Sequence, residues 1–415
     1  MANKRVMTVE EANFRHLVMD IAWFGIALAA TSRFLSVYAI HLGADPAQLG
    51  WLNAMPALVL LISSSFGSWW RRHFSDSVHA HLWPGLGFRL MFLLPAFAPF
   101  FPQEWQVFWL IAAISIPTIP QGIASVTFIG MMREAILETR MGQLISRRSA
   151  ALNLTLALGA LGFGLALEWL PFPLNYQIMF FTAFIAALLS WRHCAVLRVV
   201  VPPAPAQARG SVILAWRSPV FRQIALITVT IHITFMALMP IVPLHLVQNL
   251  RATEGFMALF GLLELAAGAT IALYTPRLMR WLGSRGMIAA AMIGTSASAL
   301  ILALAPSLPF TLVSALLAGA CWTAAATIGL FAFFNENTPH EQTVAFSTAY
   351  LQVIGLSAFI GPLIGSTLAS QGIPLVHVLL IGAALRLAAA PIIEASWLRH
   401  IFHSRKLFTG LAARP

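Results

Sequence analysis

Near its middle, this 415-residue chain reads Val201-Pro202-Pro203-Ala204-Pro205-Ala206-Gln207-Ala208-Arg209-Gly210. A stretch so rich in proline and alanine favours an extended, hinge-like linker. Six apolar stretches lie on each side of it, and most are long enough to cross roughly 30 Å of hydrocarbon at about 1.5 Å per residue. The predicted spans, numbered 1 to 12, are 14–40, 47–70, 84–101, 107–131, 149–169, 174–192, 219–246, 255–276, 287–305, 310–333, 345–369 and 374–396.

The composition is that of a membrane protein. Hydrophobic residues make up 59% of the chain and charged residues 9%, whereas globular domains carry about 25% charged residues. In a soluble chain the net charge of +11 would suggest nucleic acid as a partner. Here the basic residues flank spans, where they orient the helices and meet anionic headgroups. We therefore expect the lipid bilayer as a partner and no nucleic acid.

The basic residues fall almost entirely on one side of the spans. If loops alternate between two sides, 21 of the 25 lysine and arginine residues lie on the side of both termini. Arg251 alone lies opposite, and Arg33, Arg89 and Arg386 fall inside spans. Short basic loops stay cytoplasmic. The pattern predicts an all-α, multi-pass protein of the cell (inner) membrane with both termini in the cytoplasm.

The two halves resemble each other at an offset of about 200 residues, which favours a duplicated six-helix unit. Leu42-Gly43-Ala44-Asp45 opens span 2, and Leu250-Arg251-Ala252-Thr253-Glu254 opens span 8, 208 positions later. Arg71-Arg72 closes span 2, as Arg277 and Arg280 close span 8. We expect an N-terminal bundle over 1–197, a cytoplasmic linker over 198–218, and a C-terminal bundle with a cytoplasmic tail over 219–415.

These features together resemble the major facilitator superfamily over nearly the whole chain. That family has a loop signature after span 2, with Gly, Asp-Arg, Gly and two basic residues. Gly67-Ser68-Trp69-Trp70-Arg71-Arg72-His73 stands in its place, with Arg71 where the acid belongs, and 276–285 is the closer copy, with Arg280 replacing the acid. The resemblance implies that the loop gates the inner face by charge pairing. The candidate gating residues are Arg71, Arg72, Arg277 and Arg280, which could pair with Glu134, Glu138 or Asp76.

A second signature of the family marks antiporters and consists of glycines leading to Gly-Pro in span 5. Gly159-Ala160-Leu161-Gly162-Phe163-Gly164 lacks the proline, but Gly361-Pro362-Leu363-Ile364-Gly365 in span 11 resembles the pattern. Small residues let helices approach closely, and proline bends a helix. Ordinary helix packing explains the same residues, so this pattern favours export only slightly.

Ionisable residues inside spans are costly and are functional candidates by default. Glu264 lies about a third of the way into span 8 from the outer face and could carry a proton; a structural ion pair is the alternative. Arg33 lies at a similar depth in span 1. It could bind an anionic substrate group, neutralise Glu264, or reach towards the outer boundary.

Further candidates come from polar and aromatic residues near mid-depth. His232 in span 7 could relay protons, and Gln121 follows two prolines of span 4, where a helix irregularity can expose backbone groups. Phe235 and Trp322 could stack a flat substrate. Core packing is the alternative for the histidine and, more strongly, for each of the two aromatic residues.

Other ionisable residues carry weaker predictions. Arg386 in span 12 is expected to form a structural pair with an acid such as Glu394. Asp20 and Glu168, near opposite ends of their spans, are expected to reach headgroup water. His16 and Asp20 have the spacing of a histidine oriented by an acid, but no second catalytic motif accompanies them.

The sequence contains no phosphate-binding glycine loop and only two lysines, and its two cysteines fit neither a disulfide framework nor a metal site. We therefore expect no enzyme activity, cofactor or metal. The predicted function is secondary active transport of a small organic molecule by a monomer, coupled to protons and directed to efflux. The alternatives are a proton-coupled importer of a sugar or organic anion, or a lipid-handling protein of the same fold.

Overall fold

The computed structural model describes residues 8–202, 212–339 and 343–393. The elements in these ranges are helices, with no β-strand among them. The chain divides into two compact units. Unit 1 comprises Met1–Ala208 and Leu246–Leu262, and unit 2 comprises Arg209–His245 and Leu263–Pro415. The helix of span 8 therefore passes from unit 1 to unit 2 between Leu262 and Leu263.

Eleven helical stretches in the described ranges are long and apolar enough to cross a membrane. The longest, Glu254–Ala303, contains two spans, because Gly283 interrupts it with a left-handed φ of 68°. The prediction of an all-α fold with twelve spans is confirmed. The spans are Val9–His41, Pro46–Ser64, Ser77–Phe100, Gln103–Ala135, Glu138–Leu167, Leu174–Ala195, Pro219–Asn249, 254–282, 284–303, Leu308–Asn337, Ala345–Ser370 and Leu375–Ile393.

Two spans begin seven or more residues before their predicted starts. The helix of span 3 begins at Ser77, and that of span 5 begins at Glu138, whereas the predicted starts are 84 and 149. Both early turns are rich in polar or basic residues, which lower the apolar signal without preventing a helix. The basic segment before residue 149 is consequently helical, and Arg148 within it is buried.

The sequence repeat at the starts of spans 2 and 8 is also a repeat of backbone conformation. Gly43 has a φ of 87° and Arg251, 208 positions later, has a φ of 56°. Two residues further on, the Asp45 carboxylate accepts the Gln48 N–H at 2.7 Å. Correspondingly, the Thr253 hydroxyl accepts the Phe256 N–H at 3.3 Å. Both side chains cap the helix that follows, so both halves use the same left-handed turn and cap.

Arg251 occupies a left-handed position that glycine fills in the other half. For a residue with a Cβ this conformation costs about 1–2 kcal/mol, and glycine avoids that cost. The greater conformational entropy of glycine in the unfolded state offsets about 0.5–1 kcal/mol of the stability gained by the substitution. We expect Arg251→Gly to stabilise the protein by about 0.5–1 kcal/mol, measured by thermal unfolding in detergent. Gly43→Arg is the reciprocal control and should destabilise, although no other group lies within 4 Å of a Cβ there. A lower melting temperature for Arg251→Gly would contradict the prediction.

Several spans contain irregular turns, and three of these spans carry candidate site residues. Span 1 has a π-helical turn at Ala30–Phe34, and span 10 has one at Thr323–Gly329. The α-helix of span 7 ends at Met236 and resumes at Ile241, because Pro240 has no N–H to continue the hydrogen-bond ladder. Such irregular turns are frequent at functional sites, and Arg33, Phe235 and Trp322 lie in or next to them.

Candidate functional site

An aromatic stack forms part of unit 2 beside the interruption of span 7. The rings of Phe235 and Trp322 are stacked, with centroids 3.9 Å apart and planes 24° from parallel. The ring of His232 meets the edge of Trp322 at 5.4 Å, and its Nδ1 lies 2.9 Å from the carbonyl oxygen of Thr228. His232 is buried, whereas both aromatic residues are partly exposed. The structure thus brings together three of the residues that the sequence singled out.

Arg386 of span 12 holds this region together. It is buried in unit 2, and its guanidinium lies over the Phe235 ring at 4.9 Å. It donates to the carbonyl oxygens of Thr234 at 3.1 Å, Phe235 at 3.3 Å and Thr295 at 3.0 Å. Its partners in the described residues are therefore backbone carbonyls. The acid suggested by the sequence, Glu394, lies outside those residues.

The contact with Thr234 follows from the interruption of the helix. In a continuous helix the N–H of Leu238 would donate to the carbonyl of Thr234. Instead it donates to the carbonyl of Phe235 at 3.1 Å, which leaves the Thr234 carbonyl for the Arg386 side chain. A buried carbonyl without a partner is costly. Arg386 therefore stabilises the broken helix and fixes the Phe235 ring between its guanidinium and Trp322.

Glu264 lies on the part of span 8 that belongs to unit 2, and it is partly exposed. Its backbone lies so close to Gly319 of span 10 that a Cβ on Gly319 would overlap the Glu264 carbonyl oxygen. A Cβ on Gly268, one turn further along span 8, would lie 2.6 Å from the Thr323 hydroxyl. Spans 8 and 10 are thus in close contact, one helical turn from Trp322.

Arg33 belongs to unit 1 and lies on the π-helical turn of span 1. Its side chain packs against span 8, where a Cβ on Gly261 would lie 2.9 Å from its Nε and 3.1 Å from its Cζ. Gly261 precedes Glu264 by three residues, or about one helical turn. The structure therefore places Arg33 against the part of span 8 that belongs to unit 1.

Gln121 is partly exposed on the long helix of span 4, which continues through Pro117 and Pro120. The next residue, Gly122, packs against span 2, where a Cβ would lie 2.6 Å from the Ser64 nitrogen. The irregular backbone predicted beside Gln121 is therefore wrong: the helix Gln103–Ala135 runs through this position.

An ion pair in unit 1 joins the segment after span 2 to span 4. Arg71 donates to Glu134 at 3.1 Å, to the Ser77 hydroxyl at 2.7 Å and to the carbonyl of Phe74 at 2.9 Å. The Glu134 carboxylate also accepts the Ser77 N–H at 2.6 Å and the Ser77 hydroxyl at 2.5 Å. Glu134 is one of the three acids that the sequence offered as partners of the basic loop.

The corresponding region of unit 2 repeats only part of this arrangement. The Ser284 hydroxyl donates to Glu336 at 2.6 Å, as Ser77 does to its glutamate. Arg277 and Arg280 are exposed, and so is Arg72 in unit 1. Of the four candidate gating residues, Arg71 alone takes part in a serine–glutamate arrangement within the described part of the chain.

Asp76, another acid considered for the basic loop, caps the helix of span 3 instead. It accepts the His79 N–H at 2.9 Å and the Ser75 hydroxyl at 2.7 Å, and lies 2.7 Å from the His79 ring. Burial raises the pKa of its carboxyl, but these hydrogen bonds and the imidazole outweigh burial and hold the pKa below its usual value.

A buried charge cluster in unit 1 overturns the prediction for Asp20. The carboxylate lies 3.0 Å from Arg148 of span 5 and 3.7 Å from Arg89 of span 3, and it accepts the Ser190 hydroxyl at 2.7 Å. All three charged side chains are buried. Asp20 therefore binds two arginines inside the bundle rather than headgroup water, and His16 faces His193 at 2.8 Å instead.

Glu168 is exposed near the end of span 5 and contacts the start of span 8. Its carboxylate accepts the N–H of Gly255 at 3.0 Å, in the first turn of span 8. Backbone N–H groups at a helix start have no partner within the helix, so Glu168 supplies one from span 5. A carboxylate at this end of a helix is also favoured by the helix dipole.

The bundled spans and their interrupted helices define a multi-pass membrane transporter. The chain belongs to the Major Facilitator Superfamily, whose sequence model matches residues 21–362. This match confirms the family suggested by the sequence. It also shows that the protein is a transporter rather than an enzyme. A search of curated proteins gives no match.

Solved transporter structures share the fold. A D-xylose-proton symporter has a TM-score of 0.69 at 14% identity, over 93% of this chain and 97% of its own. A bacterial homologue of the iron transporter ferroportin, in an inward-facing state, has a TM-score of 0.72 at 13% identity, over 92% and 98%. A mutant of the nucleoside transporter NupG has a TM-score of 0.71 at 11% identity, over 94% and 99%. Identities this low establish the fold and leave the substrate open.

Proposed function

We propose that the protein is a proton-coupled secondary transporter that exports a small amphipathic or lipophilic molecule by antiport. Glu264 carries the proposal, because its backbone packs against span 10 one turn from Trp322. A carboxyl inside an apolar helix can take up a proton on one side of a membrane and release it on the other. His232, at the edge of the same tryptophan, is the proposed proton relay.

Aromatic and polar side chains are the proposed substrate contacts. Phe235 and Trp322 present aromatic surface that suits a flat or lipophilic molecule. Arg33, packed against Gly261 of span 8, is proposed to bind an anionic group of the substrate, and Gln121 to contribute a polar contact. Rocking of two bundles about a midplane site is the expected motion, with Arg71 and its glutamate as an inner gate.

The proposed location is the inner membrane with both termini in the cytoplasm. The support is the concentration of basic residues on one side of the spans. On this topology Arg71 and Glu134 lie at the inner face, and Arg251 lies at the outer face.

The test of the proposal is accumulation of lipophilic dyes in an efflux-deficient bacterial host. We expect the parent protein to lower dye accumulation, and a protonophore to remove the effect. Glu264→Gln should raise accumulation to that of cells without the protein, because glutamine cannot exchange a proton. Glu104→Gln, which changes an exposed carboxylate on span 4, is the matched control and should keep the parent activity.

Two outcomes would contradict the proposal. Full export by Glu264→Gln would show that this residue is not the proton carrier. If the parent changes the accumulation of none of the dyes, export of lipophilic molecules is wrong. Uptake of sugars and organic anions would then be measured, with Arg33→Ala testing the arginine as the anchor of an anionic group.

A further inference from the structure

Two imidazoles of unit 1 meet between the start of span 1 and the end of span 6. Nδ1 of His16 lies 2.8 Å from Nδ1 of His193, and both residues are partly exposed. One of these nitrogens donates and the other accepts, so the accepting imidazole carries its proton on Nε2. Neither Nε2 has a hydrogen-bond partner among the described residues. At least one N–H of the pair is therefore left for an acceptor other than these residues.

Two exposed arginines flank the histidine pair. Arg15 precedes His16 and Arg192 precedes His193 in the sequence, and both arginines act electrostatically on His193. Neither arginine side chain makes a hydrogen bond or an ion pair with a described residue. Arg71, by contrast, is an arginine of the same unit that is paired with an acid. The surface beside the histidine pair is therefore rich in donors and positive charge.

The acids of the neighbouring part of span 1 have other partners. Asp20, one turn further along the helix, is buried with two arginines of the bundle. The Glu11 carboxylate accepts the Thr8 N–H at 3.0 Å, and Glu10 pairs with Arg140 at 3.6 Å. The counter-charge for the two exposed arginines must therefore come from outside the described residues.

An exposed apolar stripe leads along span 6 to Arg192. Ile178, Phe181 and Ile185 are all exposed. From the first of them to Arg192 the intervals are three, four and seven residues, which place all four side chains on one face of the helix. An acyl chain lying on this stripe would bring its headgroup phosphate to the arginine. A free phosphate would make no use of the stripe, so the arrangement favours a lipid.

We propose that Arg15 and Arg192 bind the phosphate of an anionic phospholipid, such as phosphatidylglycerol, whose acyl chains lie against span 6. Guanidinium groups bind phosphate oxygens through charge-assisted hydrogen bonds that are often bidentate. Basic sites between membrane helices on the cytoplasmic side bind anionic headgroups. An N–H of the histidine pair supplies a further donor. The site goes beyond the proposed function and depends neither on the substrate nor on Glu264.

The headgroup charge provides the selectivity of this site. Phosphatidylcholine has its own ammonium group beside the phosphate, and that cation is repelled by two neighbouring arginines. Phosphatidylglycerol has the same phosphate without the cation. The two lipids with identical acyl chains therefore test the arginines while contact with the apolar stripe is kept constant.

The experiment measures lipid binding to the purified full chain in a neutral detergent. Native mass spectrometry gives the dissociation constant of the first phosphatidylglycerol bound, with phosphatidylcholine as the reference. Arg15→Gln and Arg192→Gln each remove one positive charge. Arg222→Gln, at an exposed arginine of unit 2, removes the same charge from a different helix and is the matched control. Because all three arginines are exposed, the melting temperatures of the variants should equal that of the parent, which separates lipid binding from folding.

We expect phosphatidylglycerol to bind about tenfold more tightly than phosphatidylcholine. Arg15→Gln and Arg192→Gln should each weaken its binding about fivefold, and the double variant about 25-fold. Arg222→Gln should bind the lipid as the parent does. Equal binding of the two lipids, or parent-like binding by the double variant, would overturn the proposal.

Inorganic phosphate separates a lipid site from a site for a free anion. We expect phosphatidylglycerol to remain bound when inorganic phosphate is added, because the acyl chains contribute to its binding. Displacement of the lipid by inorganic phosphate would overturn the proposal. Because lipid binding is measured without dye export, its result is separate from that of the Glu264→Gln test.

Discussion

Asp20→Asn is expected to destabilise the protein by about 3–5 kcal/mol, because it removes the only carboxylate contact of two buried arginines seen in the described residues. Asparagine has the same size and can still accept the Ser190 hydroxyl. The loss would therefore come from charge and not from a cavity. Thermal unfolding in detergent, together with the amount of folded protein recovered from membranes, measures the effect.

Asp45→Asn is the matched control for this prediction. It is the same substitution at an exposed carboxylate that caps span 2, and asparagine is an equally good helix cap. We expect its stability to lie within about 0.5 kcal/mol of the parent protein. Equal stabilities of the two variants would show that the Asp20 cluster does not depend on its charge.

Gly365→Ala is expected to destabilise unit 2 by about 1–3 kcal/mol. A Cβ at this position of span 11 would overlap the carbonyl oxygen of Ala237 and lie 2.8 Å from its carbonyl carbon. The backbone of Ala237 cannot rotate away from the added Cβ as a flexible side chain could. Spans 7 and 11 would therefore have to separate beside the interruption of span 7. We therefore expect reduced transport as well as a lower melting temperature.

Gly162→Ala tests whether this effect depends on position. Gly162 is an exposed glycine of span 5, and nothing lies within 4 Å of a Cβ built there. Alanine favours a helix over glycine by up to about 1 kcal/mol, so this variant should be as stable as the parent or slightly more so. If both alanine variants behave alike, the glycine of span 11 is not a packing contact.

The number of spans could be predicted from the sequence, because the apolar stretches are long enough to cross a bilayer. The starts of spans 3 and 5 could not be predicted, since their helices begin in polar segments. The interruption of span 7 had a clear signal in Pro240 and Pro243, which the apolar pattern concealed. The left-handed turns at Gly43 and Arg251 were detectable as an internal repeat.

The candidate site was less predictable. Phe235, Trp322 and His232 were found because aromatic and ionisable side chains stand out in an apolar helix. The Asp20 cluster was missed because Asp20 and Arg148 lie 128 residues apart. The available signal was one acid and two arginines distributed over spans 1, 3 and 5. The partners of Arg386 left no signal at all, because a backbone carbonyl is present at every residue.

Because the partners of Arg386 are backbone carbonyls, they affect how the sequence of this region can change during evolution. Arg386 binds the main chain of Thr234, Phe235 and Thr295, so three contacts of the guanidinium do not depend on which side chains occupy those positions. Substitutions at 234 and 295 can change the polarity and width of the region while the broken helix keeps its support. A scaffold held through its backbone can thus acquire new substrates by changes in the side chains around it.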